Sequence, residues 1–167
     1  MRAYPVTSDE ESILDAAQQL AGDRFISHST WKWVQLVTDD GEQPTFYYLY
    51  SRKRPPFTAQ AAARIEPALR KLGFPIIPPR GAVHAAEIEY ALGNLDQHAI
   101  YQWSADDYEV SRVMQAYWVN FVKQGDPNGP RLPHWPPYAS GQRMKIDEQS
   151  GAGQEREAAG PRAGGGE

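Results

Sequence analysis

Histidine is the residue type in this sequence best suited to acid–base chemistry, because its ordinary pKa lies near neutrality. The chain contains no cysteine, which excludes disulfides, thiolate metal sites and a cysteine nucleophile. The spacing of the histidines matches no metal-binding motif, so we expect neither a metal nor another cofactor. The four histidines are His28, His84, His98 and His134.

His84 differs from the other three in its setting. It follows a predicted strand and loop and precedes a short predicted helix. In open α/β sheets, sites gather beyond the carboxyl ends of the strands, where a carboxylate can orient a histidine that takes a proton from a nucleophile. By position alone, a hydrogen-bonded loop histidine is nevertheless favoured over a catalytic one. Structural or surface roles are expected for His28, His98 and His134.

Helices must supply most of the framework around these residues. Apolar residues at helical spacing predict helices over 7–24, 30–38 and 104–124. Ser8 with Glu11 is expected to form a capping box at the start of the first helix, and Gly22 is its expected C-cap. The third helix has a capping box at its start and a glycine after its end. Two less regular stretches, 58–72 and 86–92, are also predicted to be helical.

Strand signals are few. The aromatic run 46–50 lacks alternation, which predicts a central strand covered on both faces, and 144–147 is predicted to be a second short strand. The cationic run 52–54 is expected to be a solvated strand exit. From 149 to 167, glycine, alanine and charge dominate, which predicts a disordered tail.

Composition limits the function classes. The 167 residues include 17 Lys+Arg and 21 Asp+Glu, a net charge of −4 that argues against a nucleic-acid partner. The longest apolar or aromatic run, 46–50, is far shorter than the ~20 residues of a membrane span. No signal peptide is visible, and the compartment is left open.

Three ordered motifs resemble one family. Residues 81–94, Gly-Ala-Val-His-Ala-Ala-Glu-Ile-Glu-Tyr-Ala-Leu-Gly-Asn, resemble the histidine motif of the type B carboxylesterases, the α/β-hydrolase family that includes the cholinesterases. Residues 111–129 resemble that family's following helix and turn, and 132–136 match its Leu-Pro-x-Trp-Pro. The resemblance covers roughly residues 5–148. It implies the C-terminal fragment of an α/β-hydrolase fold, with mostly helices, two or three strands and an incomplete sheet.

The same resemblance implies residue roles. His84 would be the catalytic histidine, acting as general base and then general acid. Glu87 would support the histidine loop through hydrogen bonds, while Glu89 is expected to be a helix surface residue. In this fold the triad follows the order serine, acid, histidine. The sequence has no serine two residues after any glycine, so the Gly-x-Ser-x-Gly nucleophile motif is absent.

These observations predict the histidine-bearing part of a carboxylic ester hydrolase at 1–148, inactive alone for want of the serine and the acid, followed by the tail at 149–167. The alternative is a non-catalytic interaction module or a decayed remnant of such an esterase. The expected partners are a small-molecule ester in the complete enzyme and an N-terminal esterase portion, or a second copy joined through open sheet edges. Residues 55–80 look like an insertion relative to the family.

Overall fold

The computed structural model describes residues 4–74 and 80–154. These residues fall into two compact units. One comprises 4–47, 136–143 and 153–154, and the other comprises 48–74, 80–135 and 144–152. In chain order the elements are α1 (Glu10–Gly22), α2 (His28–Asp40), β1 (Tyr48–Tyr50), α3 (Ala59–Lys71), α4 (Ile88–Leu92), α5 (Ala105–Gln124), β2 (Gln142–Ile146) and β3 (Gly151–Gln154).

In the first unit, α1 and α2 form one uninterrupted helical segment. A π-helical turn, Asp23–Ser27, joins them. The expected end at Gly22 is wrong, because Gly22 has helical angles (φ −61°, ψ −45°) rather than left-handed ones. The predicted capping by Ser8 is also wrong, since the carboxylate of Asp9 accepts the Ser12 N–H at 2.8 Å. The segment ends at Gly41, whose φ of 69° stops the helix.

The second unit is built around α4, α5 and an aromatic cluster. The predicted long helix is confirmed as α5, which begins at a capping box formed by Ser104 and Asp107. The Trp135 ring is 2% exposed and meets the rings of Tyr48, Tyr117 and Trp118 at centroid distances of 5.1–6.0 Å. Burial of these rings fixes α5 against β1.

The described sheet has three strands in the order β1-β2-β3. Strands β1 and β2 are parallel, with Tyr48 opposite Met144 and Tyr50 opposite Ile146. Strand β1 therefore lies at the end of the described sheet, whereas the sequence predicts a central strand. Strand β3 lies inside the segment predicted to be disordered, and residues 155–167 of that segment are outside the described part of the chain.

Helix α3 confirms the helical prediction for 58–72. It continues through Pro67, which is tolerated because Ala63, whose carbonyl loses its helical partner, is exposed to water. No helix in the described ranges combines the length and apolarity that crossing a bilayer requires. The architecture is a mostly helical α/β arrangement with a partial sheet, as the resemblance implies.

Candidate active site

His84 lies on an exposed turn immediately before α4. Two backbone hydrogen bonds close this turn, from Ala86 N–H to the Val83 carbonyl at 3.1 Å and from Ile88 N–H to the Ala85 carbonyl at 3.4 Å. Ala86 is completely buried. His84 therefore lies at the surface, on a backbone that is anchored two residues later.

The residue after the histidine has an unusual backbone conformation. Ala85 has φ of 62°, in the left-handed region. A Cβ atom in this region costs roughly 1–2 kcal/mol. Such a conformation persists only where the surroundings impose it, and it is common beside functional residues. The strain is therefore located next to the candidate general base.

Glu87 lies at the cap position of α4 but does not cap it through its side chain. The side chain is half-buried and acts on the phenol of Tyr48. Burial, together with the Glu87 charge, raises the pKa of Tyr48 to about 12. A role for Glu87 in holding the histidine loop by hydrogen bonds stays a prediction.

Glu89 is buried, in contrast to the surface position expected for it. It is 8% exposed, and its two carboxylate oxygens accept hydrogen bonds from the two terminal nitrogens of Arg54 at 2.8 and 3.0 Å. Burial is the largest influence on the pKa of Glu89 and would raise it. The hydrogen bonds and charge of Arg54, a backbone hydrogen bond and the charge of His98 together hold that pKa below its usual value. The Arg54 guanidinium also lies 4.9 Å from the centroid of the Tyr101 ring.

The cationic run after β1 is likewise not a solvated exit. Arg52 Nε donates to Oδ1 of the fully buried Asp107 at 2.9 Å. Tyr90 donates to the same oxygen at 2.8 Å, and the Ser104 N–H and hydroxyl donate to Oδ2 at 2.8 and 2.6 Å. Burial alone would raise the pKa of Asp107, yet these donors keep it below its usual value.

The sequence did not predict the two buried ion pairs, Arg54 with Glu89 and Arg52 with Asp107. Arg52 and Arg54 lie two residues apart after an aromatic strand, and Glu89 follows the histidine by five residues. Residues two apart in an extended segment point to the same side, so such a pair can reach acids that lie on one side of the segment. The two-residue spacing of the arginines was therefore the sequence signal that could have indicated buried ion pairs. The pairing itself depends on folding, because the partners are 35 and 55 positions apart.

The other three histidines are placed as follows. The His28 ring lies 5.8 Å from the Trp31 ring in the first unit. In the second unit, the His98 carbonyl accepts the Trp103 indole N–H at 3.1 Å, and His134 is exposed on a loop. Among the described residues, no group of three His, Cys, Asp or Glu residues is arranged to hold a metal ion.

The chain is similar to known proteins over most of its length. A family model described as "Carboxylesterase family" matches residues 2–161. Carboxylesterase 3 from Homo sapiens is 30% identical over 154 residues, which are 88% of this chain and 24% of that protein. Bile salt-activated lipase from Rattus norvegicus is 41% identical over 78 residues, which are 44% of this chain and 13% of that protein.

One solved structure, of a PNB esterase, matches 69% of this chain and 20% of its own, with 21% identity and a TM-score of 0.49. The chain spans about a quarter of the length of Carboxylesterase 3.

Proposed function

This chain belongs to the carboxylesterase family, and on that premise we propose that it supplies the histidine of a carboxylic ester hydrolase whose serine and acid lie on another portion of the enzyme. The observation that carries the proposal is the position of His84. It lies in the motif 81–94, which resembles the histidine motif of the carboxylesterases, and it is exposed on a turn that the buried Ala86 anchors.

In the complete enzyme, His84 moves one proton in each half of the reaction. It takes the proton from the serine hydroxyl as the serine oxygen bonds to the ester carbonyl carbon. It then gives that proton to the departing alcohol as the carbon–oxygen bond of the ester breaks. Water repeats the sequence on the acyl-serine, releasing the carboxylic acid. The acid of the triad fixes the tautomer of the imidazole.

Alone, the chain is proposed to be inactive, since it carries no Gly-x-Ser-x-Gly motif. An activated aryl ester such as 4-nitrophenyl butyrate should show no burst, and a fluorophosphonate probe should label no serine. Stoichiometric labelling of a serine in this chain would contradict the proposal.

Complementation tests the role of His84 directly. The chain would be co-expressed with the part of human Carboxylesterase 3 that precedes its match to this chain, and hydrolysis of 4-nitrophenyl butyrate would be measured. Activity should appear only with both portions, and His84→Gln should lower it by at least about a thousandfold, as loss of a triad member does. His134→Gln, which changes an exposed loop histidine, is the matched control. Equal activity of the two variants, or no activity in any mixture, would argue against the proposal.

A non-catalytic interaction module is the second candidate. It is favoured by large apolar side chains on the surface, including Phe25 at 71% exposure and Trp33 at 70%. Exposed apolar surface of this kind marks an interaction site or an aggregation hazard. Such a module would associate with an esterase portion, or with a second copy of itself, without restoring hydrolysis.

A further inference from the structure

We propose that Arg54 and Glu89 are positioning residues for His84. The inference rests on the proposed function, in which His84 transfers the proton. It starts from the ion pair between the two residues, in which both terminal guanidinium nitrogens bind both carboxylate oxygens, at 2.8 and 3.0 Å. A two-pronged pair of planar groups fixes orientation as well as distance.

The guanidinium of Arg54 is held from a second direction. Its central carbon lies 4.9 Å from the centroid of the Tyr101 ring, which stacks on the Phe57 ring at 5.2 Å with an interplanar angle of 21°. Phe57 and Tyr101 also form an isolated antiparallel bridge. Arg54 is therefore a fixed anchor rather than a mobile surface side chain.

The ion pair holds α4 through Glu89, and α4 directly follows the turn formed by residues 84–87, which we call the histidine turn. The helix has only five residues, too few to be stable without tertiary contacts. Glu89 lies in its first turn, and the chain before it passes directly into the turn with His84 and the strained Ala85. Because strained backbone must be imposed by its surroundings, a loosened α4 start should release this turn.

A separate anchor holds the following part of α4 to α5. The Tyr90 hydroxyl donates to Asp107 at 2.8 Å, and the Ser111 hydroxyl donates to the Tyr90 carbonyl at 2.8 Å. Removal of Arg54 leaves both contacts in place. The loss of the ion pair should therefore affect the histidine turn locally and leave the unit folded.

The test compares two arginine variants of the full chain. Arg54→Met removes the buried pair, and Arg112→Met removes an equally two-pronged pair with Glu109 that lies exposed on α5. Amide exchange would be followed at Ala86 and Ile88, together with the imidazole NMR signals of His84. The His134 signals serve as an internal reference.

Arg54→Met should speed exchange at Ala86 and Ile88 at least about tenfold and shift or broaden the His84 signals, with the amides of α5 and the His134 signals unchanged. Arg112→Met should change none of these. The charge swap Arg54→Glu with Glu89→Arg should recover part of the protection. An unchanged His84 spectrum in folded Arg54→Met would overturn the proposal. So would equal loss of protection in α4 and α5, because that result indicates only a general stabilising role.

The two proposals fail separately. The exchange and NMR measurements need no ester hydrolysis, so a failed complementation experiment does not change their outcome. Conversely, an Arg54→Met variant with an undisturbed turn would leave the proposed proton transfer by His84 in place.

Discussion

Buried charge at single residues determines how the histidine turn is held. Asp107 is fully buried and accepts four hydrogen bonds, two at each oxygen. Glu89 is 8% exposed and accepts two hydrogen bonds from Arg54, one at each carboxylate oxygen. An ion pair removed from water is stabilising only when its geometry and remaining hydrogen bonds are satisfied. The Arg52–Asp107 and Arg54–Glu89 pairs both meet that condition. Removal of one partner should therefore lower stability, because it leaves the other charge buried and unpaired.

The strain at Ala85 leads to a prediction at the same scale. Ala85→Gly should raise the free energy of unfolding by up to about 1 kcal/mol, because relief of the left-handed Cβ clash exceeds the extra entropy that glycine brings to the unfolded chain. Urea unfolding measures the change. Ala116→Gly, inside α5, is the matched control and should lower stability by about 0.5–1 kcal/mol. Equal losses at both positions would show that Ala85 is not strained.

At the scale of elements, the end of α4 packs against a side chain of α5. Both helices end at a glycine with left-handed angles, Gly93 with φ of 65° and Gly125 with φ of 73°. A Cβ atom at Gly93 would overlap the side-chain amide of Gln115 on α5, whereas a Cβ atom at Gly125 would meet nothing within 4 Å. A side chain at position 93 would therefore displace the Gln115 amide, which donates to the Ser111 carbonyl and hydroxyl.

This difference gives a matched pair of variants. Gly125→Ala should cost about 1 kcal/mol for the left-handed conformation alone, and Gly93→Ala should cost about 1 kcal/mol more because Gln115 must move. Chemical denaturation measures both. In a double-mutant cycle, Gln115→Ala should recover part of the Gly93→Ala loss. Additive effects would contradict an overlap between a side chain at position 93 and the Gln115 amide.

At the scale of the whole molecule, the described sheet ends at β1. Ser51 N–H donates to the Ile146 carbonyl at 3.0 Å, so the main-chain groups of Leu49 and Ser51 face β2 and those of Tyr48 and Tyr50 face the other way. Leu49 is 39% exposed. The strand carries neither charge nor proline, the usual protections of a sheet edge.

The isolated chain should consequently self-associate with rising concentration, as measured by size-exclusion chromatography with light scattering. Leu49→Lys should weaken this association about tenfold, because a charge on an edge strand opposes pairing. Val119→Lys, at a 48% exposed position on α5, should leave it unchanged. A monomer at all concentrations, with slow exchange at the Tyr48 and Tyr50 amides, would contradict an open edge.

Local sequence determined where several helices begin and end. The capping box of α5 and the glycines at 93 and 125 act within one or two turns, so their effects can be read from neighbouring residues. The helix ends predicted at Ser8 and Gly22 were wrong, because local sequence offered more than one possible end. Asp9 offered a competing cap, and the π-helical turn carried the chain past the glycine.

Tertiary structure alone decided which charges are buried and where β1 lies in the sheet. Arg54 and Glu89 are 35 residues apart, and Arg52 and Asp107 are 55 apart, so no local pattern specifies their pairing. Without a partner, each of these side chains is ordinarily a surface residue, because transfer of an unpaired charge out of water is unfavourable. The sequence alone determined that His84, in a motif resembling that of the carboxylesterases, precedes the short helix α4. Folding alone brought the two arginines to that helix and its neighbour, where their loss of hydration is balanced by the paired carboxylates.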